Sequence, residues 1–120
     1  MVQNKRKLGA EVEEKAALYL VSQGAEILER NFRNSRGEID IICRQDGYLV
    51  FVEVKYRSSV QKGAPQEAVG TAKQKVICRV ADYYRCIHGI RQSVPVRYDV
   101  ITVLGDELRW YRNAFMHHYR

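Results

Sequence analysis

Three charged side chains lie inside two apolar segments that are close together in the sequence. Asp40 belongs to IDIICR at 39–44, and Glu53 and Lys55 belong to YLVFVEVKYR at 48–57. Both segments are rich in the β-branched and aromatic residues that favour strands. Side chains two positions apart on a strand share a face, so Glu53 and Lys55 point the same way. Because a charge buried in a strand is costly unless it is paired or binds a metal ion, the two segments form a candidate site.

An Asp-Gly dipeptide at 46–47 separates the two segments and favours a two-residue hairpin turn of type I′. Counting outward from such a turn places Asp40 directly opposite Glu53, and Glu38 opposite Lys55. Opposed side chains have Cβ atoms about 4.5–5.5 Å apart, a distance at which two carboxylates repel each other. We therefore expect a cation between Asp40 and Glu53.

The residues leave two interpretations of this cation open. In the first, Lys55 neutralises Glu53 or Glu38 in a strand-surface salt bridge, which is worth about 0–1 kcal/mol when exposed. In the second, the carboxylates hold Mg²⁺, which binds through one or two carboxylates and keeps positions for water and phosphate. Lys55 would then orient or deprotonate a water for attack on phosphorus.

The rest of the chain supplies the elements that must position this hairpin. Apolar residues recur at helical spacing before Gly24 and after Pro65, and two strand-like segments flank Gly105 and Asp106. The predicted elements are a helix at 8–23, strands at 25–33, 39–44 and 48–57, a helix at 66–87, and strands at 96–103 and 108–115. This order predicts an α/β fold, with a mixed sheet flanked by helices.

Length and composition limit the class of protein. The 120 residues suit a single domain, predicted to span 1–120, and 46% hydrophobic with 28% charged residues is typical of globular chains. We expect a cytoplasmic protein without a membrane partner, because no apolar run approaches the roughly 18 residues of a membrane helix and no secretory signal is recognised. Three cysteines without CxxC spacing indicate neither a disulfide framework nor a zinc site. A net charge of +6 favours a polyanionic partner such as nucleic acid.

The hairpin and its surroundings resemble a nuclease family. GEIDII at 37–42, followed by the Glu-Val-Lys of FVEVKYR at 51–57, resembles the Asp…Glu-x-Lys site of the PD-(D/E)XK superfamily, although Ile39 stands where the superfamily name has proline. The resemblance extends to EEKAALYL at 13–20, Gly63-Ala64-Pro65, Lys73-Gln74, RYDVI at 97–101 and Asn113-Ala114-Phe115. It is closest to the YraN-type uncharacterised bacterial family, which is similar to archaeal Holliday junction resolvases. It implies a restriction-endonuclease-like αβββαβ core.

The resemblance also implies roles for individual residues. Asp40, Glu53 and Glu13 are implied to be metal ligands, and Lys55 the catalytic lysine. Glu13 is chosen because resolvases of this type place a glutamate on the first helix eleven residues before the glycine that ends it, which is Gly24 here. Glu11 and Glu14 are the alternatives. If none of the three glutamates binds a metal ion, they form a solvated acidic first turn, which the helix dipole favours.

Further residues are predicted to act around the site. Glu38 either orients Lys55 through the cross-strand pairing or lies on the surface. If the second helix packs through a stripe of apolar residues, Lys73 and Gln74 face away from it and contact either phosphate or solvent. That stripe consists of Val69, Ala72, Val76, Val80 and Tyr83. A basic rim suited to phosphate, with solvated surface charge as the alternative, consists of Arg30, Arg33, Arg36, Arg57 and Lys62.

The resemblance predicts a Mg²⁺-dependent endonuclease, with Mn²⁺ as a substitute metal, that hydrolyses phosphodiester bonds of DNA at branched or damaged positions. The alternative is a nucleic-acid-binding module of the same fold without efficient catalysis. A homodimer is expected by resemblance, because two symmetry-related sites suit a symmetric junction.

Overall fold

Two helices and five strands make up the part of the chain that is described. The computed structural model describes residues 5–57 and 69–119, without the side chain of Lys5. The elements are α1 Lys5–Ser22, β1 Glu26–Arg33, β2 Glu38–Gln45, β3 Tyr48–Arg57, α2 Thr71–Ile87, β4 Val96–Leu104 and β5 Glu107–Phe115. Every predicted strand is confirmed to within one residue at each end. Part of the predicted second helix, at 66–68, lies outside the described residues, as do Gly63-Ala64-Pro65 and Lys62.

The five strands form one mixed sheet in the order β1-β2-β3-β4-β5. The pairing of β3 with β4 is parallel, whereas the other three pairs are antiparallel. Parallel neighbours need a crossover connection, and α2 lies in the chain between β3 and β4. The predicted α/β fold is therefore confirmed, and it is compatible with a restriction-endonuclease-like αβββαβ core.

The turn between β2 and β3 fixes the register of the two strands that carry the candidate site. Asp46 and Gly47 have φ angles of 51° and 82°, as a type I′ turn requires at both central positions. The paired residues run from Gln45 opposite Tyr48 to Ile41 opposite Val52. This is the register predicted from the sequence. If the same register continues one position beyond Ile41 and Val52, Asp40 lies opposite Glu53.

Each face of the sheet is covered by one helix. Val12, Ala16 and Leu20 of α1 pack in one buried cluster with Val50 and Val52 of β3. On the opposite face, α2 packs in a second cluster with the alternate residues of the same strand, Leu49 and Phe51. Neither helix, over the residues described, is long and apolar enough to cross a membrane.

The packed face of α2 matches the predicted stripe only in part, since Val69 and Val80 are buried and Val76 packs against the same cluster. Ala72 and Tyr83 are exposed, and the predicted stripe is wrong at these positions. The buried residues of α2 are Gln74, Ile77, Cys78, Val80, Ala81 and Tyr84. Tyr84 decides the rotation of the helix, because its ring packs edge-on against Phe32 and Phe51, with centroids 5.1 and 6.0 Å away.

A buried ion pair within β4 also provides hydrogen bonds to the edge strand β5. The Arg97 side chain donates to both carboxylate oxygens of Asp99, from Nε at 2.9 and 3.2 Å, and Asp99 is completely buried. The same carboxylate accepts hydrogen bonds from Trp110 Nε1 and from the backbone N–H of Asn113, each at 2.8 Å. All of these donors lie on β4 or β5, so Asp99 stabilises the edge of the sheet and is not part of the candidate site.

Replacement of Asp99 by alanine is expected to lower the free energy of unfolding by about 3–5 kcal/mol, because Arg97 would remain buried without its counter-charge. Urea denaturation measures the loss. Asp106→Ala is the matched control, since Asp106 is exposed in the β4–β5 turn and lies 3.6 Å from Lys15. A loss under about 1 kcal/mol in Asp99→Ala would show that this carboxylate does not hold the sheet edge.

Candidate active site

The site is built on the hairpin where the paired residues of β2 and β3 end. Beyond the pair of Ile41 and Val52, the backbone N–H of Val54 donates to Asp40 Oδ2 at 2.8 Å. A side-chain carboxylate thus accepts a hydrogen bond from the neighbouring strand. This contact fixes the orientation of the Asp40 carboxylate beside Glu53, with which it also shares a side-chain hydrogen bond.

Glu53 is the buried member of this pair of carboxyl groups, with a relative exposure of 7%. Burial raises the pKa of Glu53 to about 8, and the hydrogen bond and negative charge of Asp40 contribute to the rise. The positive charges of Lys73 and Lys55 oppose it but do not outweigh it. At neutral pH the protonated form of Glu53 is therefore favoured, next to Asp40 and at the position where the sequence predicts a cation.

Two lysines lie around Glu53. Lys73, near the start of α2, has its Nζ 3.7 Å from Glu53 Oε2, and its side chain is 45% exposed. Lys55 is half-buried on β3, and its charge also acts on the Glu53 carboxyl. The structure thus brings Asp40, Glu53, Lys55 and Lys73 together, from β2, β3 and α2.

Glu13 approaches the same carboxylates from α1, on the opposite face of the sheet from α2. Burial raises the pKa of Glu13, and the charges of Asp40 and Glu38 raise it further, which places all three acids within electrostatic reach of one another. Glu14 instead forms an ion pair with Arg30 at 2.7 Å, and Glu11 is exposed. Of the three candidates on the first helix, Glu13 is therefore the one on which the charge of Asp40 acts.

Glu38 lies between the site and β1. Its carboxylate is 3.4 Å from Arg33, and no ion pair joins it to Lys55 within residues 5–57 and 69–119. Asn31 of β1, which belongs to none of the motifs in the sequence, links Glu38 to Glu13 when its amide is turned so that the nitrogen faces both carboxylates. Nothing in the alternating pattern of β1 indicates this contact, because it depends on the backbone conformation at Asn31.

Gln74 differs most from its prediction. It was expected to face away from the packed side of α2, and this is wrong, because Gln74 is buried. Its Nε2 donates to the Val69 carbonyl at 2.8 Å, and its Oε1 lies 2.8 Å from His118 Nε2. These contacts satisfy both ends of the amide, so the side chain can point inward.

The basic rim is divided by its ion pairs. Arg30 and Arg33 contact Glu14 and Glu38, while Arg36 is exposed in the loop before β2. Arg57 is half-buried at the end of β3. In the described part of the chain, no three His, Cys, Asp or Glu side chains are grouped closely enough to hold a metal ion as they stand.

Comparison with known proteins identifies the family. The sequence profile of the uncharacterised protein family UPF0102 matches residues 12–103. The chain belongs to the UPF0102 family. A UPF0102 protein of Lachnoclostridium phytofermentans is 49% identical over 112 residues, which cover 93% of this chain and 95% of that protein. A UPF0102 protein of Clostridioides difficile is 43% identical over 114 residues, covering 93% and 99%.

These similarities extend over nearly the whole chain, as the resemblance predicted. A UPF0102 protein of Fusobacterium nucleatum, 41% identical over 111 residues, covers 92% of both chains. The region matched by the UPF0102 profile includes α1 from residue 12 onward, the β2–β3 hairpin and α2. It therefore contains Glu13, Asp40, Glu53, Lys55 and Lys73. The predicted membership of an uncharacterised bacterial family is confirmed.

Proposed function

We propose that the protein is a Mg²⁺-dependent nuclease of the PD-(D/E)XK type that hydrolyses phosphodiester bonds of DNA. The observation that carries this proposal is the buried Glu53 carboxyl, hydrogen-bonded to Asp40 and flanked by two lysines. A carboxyl group whose ionisation is opposed by burial and by a neighbouring acid is suited to a divalent ion, because the ion's charge offsets both effects. Their oxygen donors match Mg²⁺ or Mn²⁺.

The roles of the residues follow from their positions. Asp40 and Glu53 would hold the ion, with Glu13 as a third ligand from α1. When bound, the ion supplies Lewis-acid polarisation of a phosphoryl oxygen. The Val54 N–H holds one oxygen of Asp40 and thereby sets the direction of that carboxylate. The Lys55 ammonium group orients the attacking water and stabilises the negative charge that develops on the phosphate.

Charge favours a nucleic-acid substrate. The chain carries 20 Lys and Arg against 14 Asp and Glu, and Lys73 and Arg36 are exposed near the hairpin. Cationic side chains of this kind bind phosphates without reading the base sequence. Branched or damaged DNA is the substrate that the similarity to junction resolvases suggests, and a homodimer would present two such sites to a symmetric junction.

The test is cleavage of a labelled panel by the wild type and by Asp40→Asn, with Mg²⁺ or Mn²⁺. The panel contains a four-way junction, a flap, linear duplex DNA, single-stranded DNA and RNA. We expect metal-dependent cleavage of DNA by the wild type and its loss in Asp40→Asn, because the amide lacks the charge that holds the ion. Asp106→Asn, in the exposed turn, should cut as the wild type does.

Binding measured on the same panel separates the alternative function. Binding that weakens steeply with salt, without cleavage in either metal, would contradict the nuclease and favour a nucleic-acid-binding module. Cleavage that persists in Asp40→Asn would contradict the proposed site itself.

A further inference from the structure

Asn31 interrupts the regular geometry of β1 beside the candidate site. Its φ angle is 53°, in the left-handed region that asparagine tolerates better than most residues other than glycine. Its neighbours Arg30 and Phe32 remain paired with Ile41 and Ile39 of β2. The unusual conformation is therefore confined to the position in β1 that lies across from Asp40.

The side chain of Asn31 lies between two carboxylates. With the amide turned so that both contacts are hydrogen bonds, its nitrogen donates to Glu13 Oε1 at 2.7 Å and to Glu38 Oε1 at 2.9 Å. An asparagine amide has two N–H donors, and each of them reaches one carboxylate here. Glu38 is held from its other side by Arg33 at 3.4 Å. A chain of contacts thus runs from Arg33 through Glu38 and Asn31 to Glu13.

These contacts oppose a repulsion. Glu13 lies near the negative charges of both Asp40 and Glu38, which would drive its flexible side chain away from them. Hydrogen bonds to a charged carboxylate are stronger than those between neutral groups, and they favour the orientation of the side chain in which they form. The neutral amide supplies such a bond without adding a positive charge that would compete with a metal ion.

We propose that Asn31 is a positioning residue, which holds the Glu13 carboxylate toward Asp40 and uses Glu38 as its second anchor. The inference rests on the proposed function, because it is the bound metal that gives the position of Glu13 its importance. Glu38 then acts by anchoring Asn31, which positions Glu13, and not by orienting Lys55. Residues that orient metal ligands in this way typically contribute 10- to 100-fold to metal affinity or activity.

Titration of the full chain with Mn²⁺ by calorimetry tests the role of Asn31. Asn31→Gly keeps the left-handed backbone accessible but removes the amide, and we expect it to bind Mn²⁺ 10- to 100-fold more weakly than the wild type. Asn113→Gly is the matched control, since Asn113 has the same φ of 53° and lies on β5, where its backbone N–H donates to Asp99. This control should bind Mn²⁺ as the wild type does.

A double variant shows whether Asn31 acts through Glu13. Because the amide has no other carboxylate ligand to orient, Asn31→Gly combined with Glu13→Ala should bind Mn²⁺ no more weakly than Glu13→Ala alone. Wild-type affinity in Asn31→Gly would overturn the inference. So would losses that add in the double variant.

A metal-free measurement distinguishes failure of this inference from failure of the proposed function. The two side-chain N–H signals of Asn31 in a ¹H–¹⁵N spectrum should move in Glu13→Ala and stay in place in Glu14→Ala, because Glu14 contacts Arg30 instead. Unmoved signals in Glu13→Ala would overturn the inference whether or not the protein cuts DNA. If the signals move in Glu13→Ala but the wild type binds no Mn²⁺, the proposed metal site is overturned. The contact between Asn31 and Glu13 is established all the same.

Discussion

Replacement of Lys55 by methionine is expected to lower the rate of metal-dependent cleavage by about 10³-fold without weakening Mn²⁺ binding. Lys55 lies on the same face of β3 as Glu53, and its charge acts on the carboxyl group of that residue. Loss of one positioned charge or proton-transfer group typically costs 10²- to 10⁴-fold in rate. Methionine keeps the unbranched apolar stem, so the packing of the half-buried side chain should be preserved. Single-turnover cleavage with saturating protein measures the chemical step.

Two further lysine variants show whether the expected loss of cleavage is specific to Lys55. Lys73→Met should reduce cleavage tenfold or less, because Lys73 is 45% exposed and its charge is screened by solvent. Lys75→Met, an exposed change on the same helix, is the control for a general loss of positive charge. If Lys73→Met were inactive and Lys55→Met retained wild-type rates, Lys73 would be the catalytic lysine.

The hairpin is the part of the fold that the sequence specifies most directly. An Asp-Gly turn with positive φ at both positions permits one register, and that register brings Asp40 and Glu53 together. The strands were predictable for the same reason, since their residue types and turns act locally. The family membership was predictable because the segments that resemble the family are spread along nearly the whole chain.

Other features depend on contacts between distant segments. The rotation of α2 is decided by the packing of Tyr84 on Phe51 and by the hydrogen bonds that satisfy buried Gln74, neither of which shows in the periodicity of the helix. The role of Asn31 requires its left-handed backbone and the approach of α1 on one side of the sheet. A single sequence gives the residue types for these contacts but not the angles that bring them together.

The raised pKa of Glu53 predicts a dependence of stability on pH. In the folded, metal-free protein the pKa of Glu53 is raised to about 8, whereas in the unfolded chain it is near 4.5. Between these values the folded state holds a proton that the unfolded state releases, so a rise in pH favours unfolding. The contribution to the free energy of unfolding is fully present below about pH 4.5 and is lost by about pH 8. It is on the order of a few kcal/mol.

Glu53→Gln isolates this contribution, because its amide is neutral at every pH and can still donate a hydrogen bond to Asp40. Urea denaturation in chelator at pH 5 to 8 should show the wild type losing stability relative to Glu53→Gln. Glu26→Gln, at the exposed pair with Arg44, is expected to follow the wild type.

At pH 8, added Mg²⁺ should stabilise the wild type and leave Glu53→Gln unchanged, because a ligand that binds only the folded state shifts the equilibrium toward it. Parallel pH profiles for the wild type and Glu53→Gln would show that the pKa of Glu53 is not raised by folding, and the argument for a cation between Asp40 and Glu53 would fail with it.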